Sequence, residues 1–258
     1  MIPKVIHYCW FGRGELPDLA IKCIESWKRI LPEYEIRRWD EDTFDFSQCE
    51  YARQAYEAKK YAFVSDFARL DVLYRFGGIY MDTDVEILKP LDKFLVHKAF
   101  SGFENVCSIP TGIMGSEKGF EGFRNLLALF DGRRFTLEDG RLDMTSNVKT
   151  ITEYYSQRGL VRNNSFQVVE GFTLYPNIVF CPYKHEIGSR YFNETVTIHH
   201  KYGSWIPSEE YKSFKGGRSR GMKELVKRML LTILGKRIFD KLLIGLYMKA
   251  EKRNRVEI

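Results

Sequence analysis

Gly77-Gly78-Ile79-Tyr80-Met81-Asp82-Thr83-Asp84 is the stretch that decides how this chain is read. The paired glycines end a helical segment, as glycine commonly does at a helix C-terminus. Ile79 to Met81 is a short, wholly apolar run that reads as a buried strand and leads straight into Asp82. Carboxylates at i and i+2 point the same way off a strand. At the C-terminal end of a strand in an open α/β sheet, that direction is the crevice where ligands bind. Hard divalent cations take oxygen ligands, commonly one or two carboxylates together with substrate phosphates. Asp82 and Asp84 therefore predict a site where a cation joins a carboxylate pair to a diphosphate. The commonplace alternative for a lone D-x-D is a solvated acidic turn.

Outward from this motif, strand and helix patterns alternate. Lys4–Trp10 and Tyr34–Trp39 read as strands, Leu19–Ile30 as a helix stopped by Pro32, and Tyr51–Phe76 as a helix in two pieces. Further strands are expected at Ala99–Gly102, Thr111–Gly115, Gln167–Val169 and Glu194–His200, with helices at Phe123–Phe130 and Thr150–Gln157. Alternation of this kind predicts an α/β layer architecture with a mainly parallel sheet. From about Gly221 the pattern changes. Met222, Leu225, Val226, Met229, Leu230, Ile233 and Leu234 share one helical face, Gly235 interrupts, and Ile238, Phe239, Leu242 and Leu246 resume it.

Composition sets the outer limits. The 258 residues, 44% hydrophobic, suffice for one sizeable core. Lys212 to Arg255 holds 14 basic and 3 acidic residues, a local net of +11 against +6 for the whole chain, which leaves the remainder at −5. An acidic body with a basic tail points to an anionic surface as the tail's partner, and away from nucleic acid. Five scattered cysteines without a C-x-x-C pair fit reduced thiols in a cytoplasmic protein. No signal peptide or membrane span is expected.

Other residues could carry chemistry. Asp66 and Arg69 lie at i and i+3 on the helix before the motif, and spacing alone makes them a surface ion pair of little energetic weight. Trp10 closes the first strand beside Gly12 and reads either as core or as a platform for a base, where stacking contributes roughly 1–3 kcal/mol. His199 and His200 end a strand just before Gly203-Ser204-Trp205.

Taken together, these segments resemble glycosyltransferase family 32. The resemblance rests on Tyr61 to Arg69 (YAFVSDFAR), Gly77 to Asp84 (GGIYMDTD), the opening Ile2 to Gly12 (IPKVIHYCWFG) and Ile198 to Trp205 (IHHKYGSW), in that family's order. It implies a GT-A fold, Rossmann-like, over residues 1–210, while residues 211–258 read from their own pattern as a basic amphipathic helical extension. It also implies a retaining transferase that uses Mn2+ or Mg2+ and a nucleotide-sugar donor, with a UDP-sugar favoured. Trp10 would stack on the donor's base, Asp66 and Arg69 would contact its ribose and sugar, and Tyr80 would be a further donor contact. Asp82 and Asp84 would form the metal and diphosphate site, Ser204 and Trp205 would close over the diphosphate, and His200 or His199 would add a metal ligand. The acceptor would be a surface polysaccharide or a lipid-linked glycan. On the basic tail the family is silent: its apolar stripe packs on the catalytic body, on a partner, or in an anionic membrane interface through residues 221–255, the last making the protein cytoplasmic and peripheral on the membrane's inner face. Met144-Thr145-Ser146-Asn147-Val148 lacks the Thr-Gly-Pro of many relatives, which leaves the acceptor side open.

Two rivals remain. Ile79 to Val85 also resembles the nucleophile strand of haloacid-dehalogenase-like phosphatases, but Glu86 stands where that motif has Thr or Val, and Trp10 and His199 would go unexplained. A non-catalytic, membrane-associated scaffold of the same fold is the other.

Overall fold

The computed structural model describes residues 1–201 and 218–256, with side chains described for 1–201 and 223–250. A seven-stranded sheet runs through it: β1 (Val5–Cys9), β2 (Glu35–Trp39), β3 (Gly78–Met81), β5 (Ala99–Gly102), β6 (Ile113–Ser116), β7 (Gln167–Val169) and β8 (Phe172–Tyr175). The order across the sheet is β2-β1-β3-β6-β5-β8-β7. β1 pairs in parallel with β2 and β3, and β5 with β8, while β6 and β7 run against their neighbours. Five of the seven strands thus share one direction, as the helix–strand alternation predicts for the N-terminal half. A separate ribbon pairs β4 (Val85–Ile87) with β9 (Thr197–His199), antiparallel.

Strand side chains alternate between two apolar layers. Tyr80 and Met114 enter the layer covered by α2 (Glu50–Glu57), α3 (Tyr61–Phe76), α4 (Glu121–Ala128) and α5 (Asn147–Ser156). Ile79, Met81, Ile113 and Phe100 enter the opposite layer, under α1 (Asp18–Ile30) and α6 (Asn177–Phe180). Trp27, fully buried on α1, donates its indole N–H to the Val85 carbonyl at 2.6 Å and so ties that helix to the ribbon.

The turn from α3 into β3 depends on glycine. Gly78 has φ +103°, and a Cβ there would stand 2.7 Å from the Val5 carbonyl oxygen and 2.9 Å from His7 Nε2. His7 fills the space that glycine leaves. Its Nε2 bonds the Gly77 carbonyl at 2.8 Å, and its Nδ1 accepts from Trp39 Nε1 at 3.0 Å. With both nitrogens used in this way the ring is neutral, and burial lowers its pKa to about 4.

Two helices form the C-terminal hairpin, α7 (Arg218–Leu234) and α8 (Lys236–Val256), with Gly235 at the elbow as the sequence suggests. The hairpin docks through polar groups and through Leu231 and Phe239, which are buried. Lys236 Nζ lies 2.5 Å from the fully buried Glu186 carboxylate and 3.2 Å from Asp240, whose other partner is the Asn164 amide at 2.9 Å. Glu224 pairs with His185 at 3.1 Å. Of the apolar stripe read from the sequence, Phe239 is buried and Leu234 half-buried, whereas Leu225, Val226, Met229, Leu230, Ile233, Ile238, Leu242 and Leu246 are exposed. Met222 lies outside the residues with described side chains.

Candidate active site

The site is assembled where β3 ends. Asp82-Thr83-Asp84 forms a turn, closed by the Val85 N–H on the Asp82 carbonyl at 3.0 Å, and does not continue the strand. Strand alternation therefore does not bring the two carboxylates together. The turn leads directly into β4, which pairs with β9 so that Val85 stands opposite His199. One carboxylate oxygen from each of Asp82 and Asp84 and one imidazole nitrogen of His199 lie within 4.8 Å of one another.

Each of the three is held by its surroundings. Asp82 Oδ1 accepts from the Tyr80 hydroxyl at 2.9 Å and lies 3.2 Å from Arg69 Nη1. Asp82 Oδ2 and His199 Nδ1 both lie over Gly112, where a Cβ would come within 3.3 Å of the oxygen and 2.9 Å of the nitrogen. Gly112 also accepts the Asp82 N–H at 2.8 Å, so the glycine's missing side chain is the space these two atoms share. His199 Nε2 is 3.3 Å from Asp84 Oδ1. Burial pushes the His199 pKa down, but the Asp84 carboxylate, together with Cys181, outweighs this and holds it well above its ordinary value, so a cation bound here would displace the imidazole proton.

Arg69 is the centre of the arrangement and is only 4% exposed. Its guanidinium donates to the carbonyls of Ser65 at 3.1 Å and Thr111 at 2.7 Å, and lies 3.2 Å from Asp66 Oδ1. It also sits 4.6 Å from the centroid of the Tyr80 ring, a cation–π contact. The expected surface ion pair is therefore a buried one. α3 turns the Asp66–Arg69 face inward, and the three-residue spacing is the same for either face of a helix. Asp66 meets the N-terminus of α5, where its Oδ2 accepts the Asn147 N–H at 3.3 Å and its own carbonyl accepts from Asn147 Nδ2 at 2.7 Å. Burial raises the Asp66 pKa to about 6, with Arg69 acting against it.

Trp10 is half-buried at the end of β1, and its indole N–H bonds the Gly14 carbonyl at 2.7 Å. His200 does not join the cluster. Successive strand residues face opposite ways, and its Nε2 bonds Glu86 at 2.9 Å instead. Ser204 and Trp205 lie outside the described residues. Sequence reasoning missed Thr111, Gly112 and Asn147, which act here through a carbonyl, an absent side chain and a helix start. Only the departure at Met144–Val148 drew notice to Asn147's segment.

Residues 17–101 match the family described as "Glycosyltransferase sugar-binding region containing DXD motif". The chain is 31% identical over 122 residues to inositol phosphoceramide mannosyltransferase 3 of Schizosaccharomyces pombe, covering 46% of this chain and 34% of the relative. It is 26% identical over 230 residues to an uncharacterized glycosyltransferase of Acanthamoeba polyphaga mimivirus, covering 80% and 85%. It spans about a third of the length of the yeast mannosyltransferases it matches. Solved glycosyltransferases of GT-A architecture align with it at low identity. The PaToxG glycosyltransferase does so at 19%, with TM-score 0.46 over 60% of this chain and 68% of that one. A glycosyltransferase involved in glycosylating the major capsid of PBCV-1 does so at 13%, with TM-score 0.46 over 82% and 98%.

Proposed function

We propose that this protein is a retaining, metal-dependent glycosyltransferase that takes a sugar from a UDP-sugar and passes it to a glycan or lipid-linked glycan acceptor. The observation that carries the reading is the convergence of Asp82, Asp84 and His199 beside a buried arginine. Two carboxylates and an imidazole within 4.8 Å of one another form a donor set that fits Mn2+, and Mg2+ less well because its ligands are oxygens. A divalent cation held there would act as a Lewis acid on a diphosphate oxygen and neutralise the charge of the departing nucleoside diphosphate.

The chain's own residues supply the rest. Tyr80 and Arg69 both engage Asp82 Oδ1, which fixes the carboxylate and leaves Oδ2 facing the Gly112 space. Arg69 also offsets part of the negative charge of Asp66 and Asp82, so the site attracts a cation without repelling a phosphate. Asp66, held by Arg69 and by the start of α5, is the acceptor for donor hydroxyls. Trp10, with its indole N–H fixed to Gly14, is the platform for the base. The phosphatase reading would need Asp82 as a free nucleophile, and the Tyr80 and Arg69 contacts oppose that. The five free, buried cysteines support a place in a reducing compartment.

The test is release of nucleoside diphosphate from a panel of UDP- and GDP-sugars with Mn2+ present. We expect turnover of UDP-sugars, falling at least about 100-fold in the Asp82→Asn, Asp84→Asn double variant. Turnover confined to GDP-sugars would replace the donor, and turnover untouched by the double substitution would remove the site.

A further inference from the structure

We propose that the outer face of the α7–α8 hairpin docks on an anionic lipid surface. The docking itself does not depend on the transferase reading. On α7, Leu225, Val226, Met229, Leu230 and Ile233 recur at i, i+1, i+4, i+5 and i+8, and Ile233 is 74% exposed. On α8, Ile238, Leu242 and Leu246 recur at i, i+4 and i+8, and Leu246 is 66% exposed. The hairpin contributes half of all the large apolar side chains that the described residues expose. Contiguous apolar faces of this kind mark interaction surfaces on proteins.

The hairpin is not a loose segment that happens to lie open. Its inner side is pinned by the buried Lys236–Glu186–Asp240 group, by Glu224 on His185, and by Arg228 donating to the Ile187 carbonyl at 2.7 Å. Turning the apolar face inward would break the Lys236–Glu186 ion pair, whose carboxylate is fully buried. The outward direction of the stripe is therefore fixed by the polar side of the same helices.

Charge selects the occupant. Lys223, Arg237, Lys241 and Lys249 are exposed among and beside the apolar positions. The segment Lys212–Arg255 carries a net +11 while the rest of the chain is negative. A second copy of this chain would bring an equally positive face against the first. A lipid surface with acidic headgroups takes both features together, with apolar side chains entering the headgroup–acyl boundary and basic ones staying at the phosphates. None of the described helices is long and apolar enough to cross a membrane.

The position of the hairpin gives the docking a consequence. The Tyr247 hydroxyl on α8 lies 3.4 Å from Ser108 Oγ, in the loop that runs on to Thr111 and Gly112 of the site. Lys201, two residues beyond His199, pairs with Glu104 of the same loop at 3.2 Å. A bilayer on the hairpin's outer face would then lie about one helix diameter, roughly 10 Å, from the loop that frames the site, within reach of an acceptor carried by a lipid.

The test is co-sedimentation of the full chain with vesicles of phosphatidylcholine alone and of phosphatidylcholine mixed with phosphatidylglycerol. We expect at least about tenfold stronger binding to the anionic vesicles, since each basic residue near an acidic surface adds roughly another factor of five. The Ile233→Asp, Leu242→Asp and the Arg237→Glu, Lys241→Glu variants should each lose most of it. The changed side chains are exposed, and an unchanged thermal midpoint checks that each variant is folded. Equal, weak binding of the wild-type chain to both vesicles would overturn the proposal. So would a concentration-dependent dimer, dispersed by Leu242→Asp, in a chain that binds no vesicles. Loss of transferase activity in the Asp82→Asn, Asp84→Asn variant leaves vesicle binding untouched, so the two readings fail separately.

Discussion

The end of β3 and the C-terminal hairpin break opposite halves of the same rule. At the first, charge is buried: Arg69 is almost wholly enclosed with Asp66 and Asp82 beside it. At the second, apolar side chains stand in solvent while a lysine–glutamate pair is buried beneath them. Burying an ion pair rarely adds net stability, because desolvation offsets most of the attraction. Exposing an apolar face forgoes about 25 cal/mol for each Å² left wet. Each departs from the rule in the direction that the ligand proposed for it requires. A diphosphate with a cation needs fixed charges in a dry setting, whereas a lipid surface needs apolar groups already facing out.

The largest effect that separates the two regions is expected at Arg69. Arg69→Ala leaves two carboxylates without their cation and should destabilise the protein by about 3–5 kcal/mol in urea unfolding. A cost under about 1 kcal/mol would mean that Asp66 and Asp82 are not held as described.

Next comes acid. His7 is buried and neutral, with its pKa lowered to about 4, whereas an unfolded histidine titrates near 6.5. Between those values the unfolded chain binds the proton and the folded one does not. Stability is therefore fully present above pH 6.5 and falls by about 3 kcal/mol as pH drops through that window to 4. Comparing unfolding free energies across pH 4–7 for the wild type and His7→Gln checks this, because the variant should lose that part of the slope. The smallest effect should be at the hairpin, where Ile233→Asp should change stability by no more than about 0.5 kcal/mol. A larger loss would show that the exposed stripe packs against the body after all.

Much of this was legible in the sequence, and the residues show why the rest was not. The Gly77-Gly78 break, the apolar strand and the D-x-D were read in place because they are local signals, namely a backbone that only glycine adopts and a run of three apolar residues. β4 and β8 were missed although β5 and β7, which are no longer, were read, because over three or four residues periodicity alone does not separate a strand from a loop. The direction of the Asp66–Arg69 pair was not legible either, since three-residue spacing looks the same on the inner and outer faces of a helix. His199 could not be separated from His200 until β9 paired with β4 and set which of them faces the turn. The tail's helices and elbow were plain in its pattern. Which face docks depends on Glu186, Asn164 and His185, all distant in the chain.

The most direct test of the account is the thermal midpoint of the full chain with UDP, in the presence and absence of Mn2+. At 100 times the dissociation constant, binding should add about 2.7 kcal/mol. The account predicts a rise with UDP that requires Mn2+ and disappears in the Asp82→Asn, Asp84→Asn variant. A rise that is the same without Mn2+, or that survives both substitutions, would contradict the claim that these carboxylates hold a cation for the diphosphate.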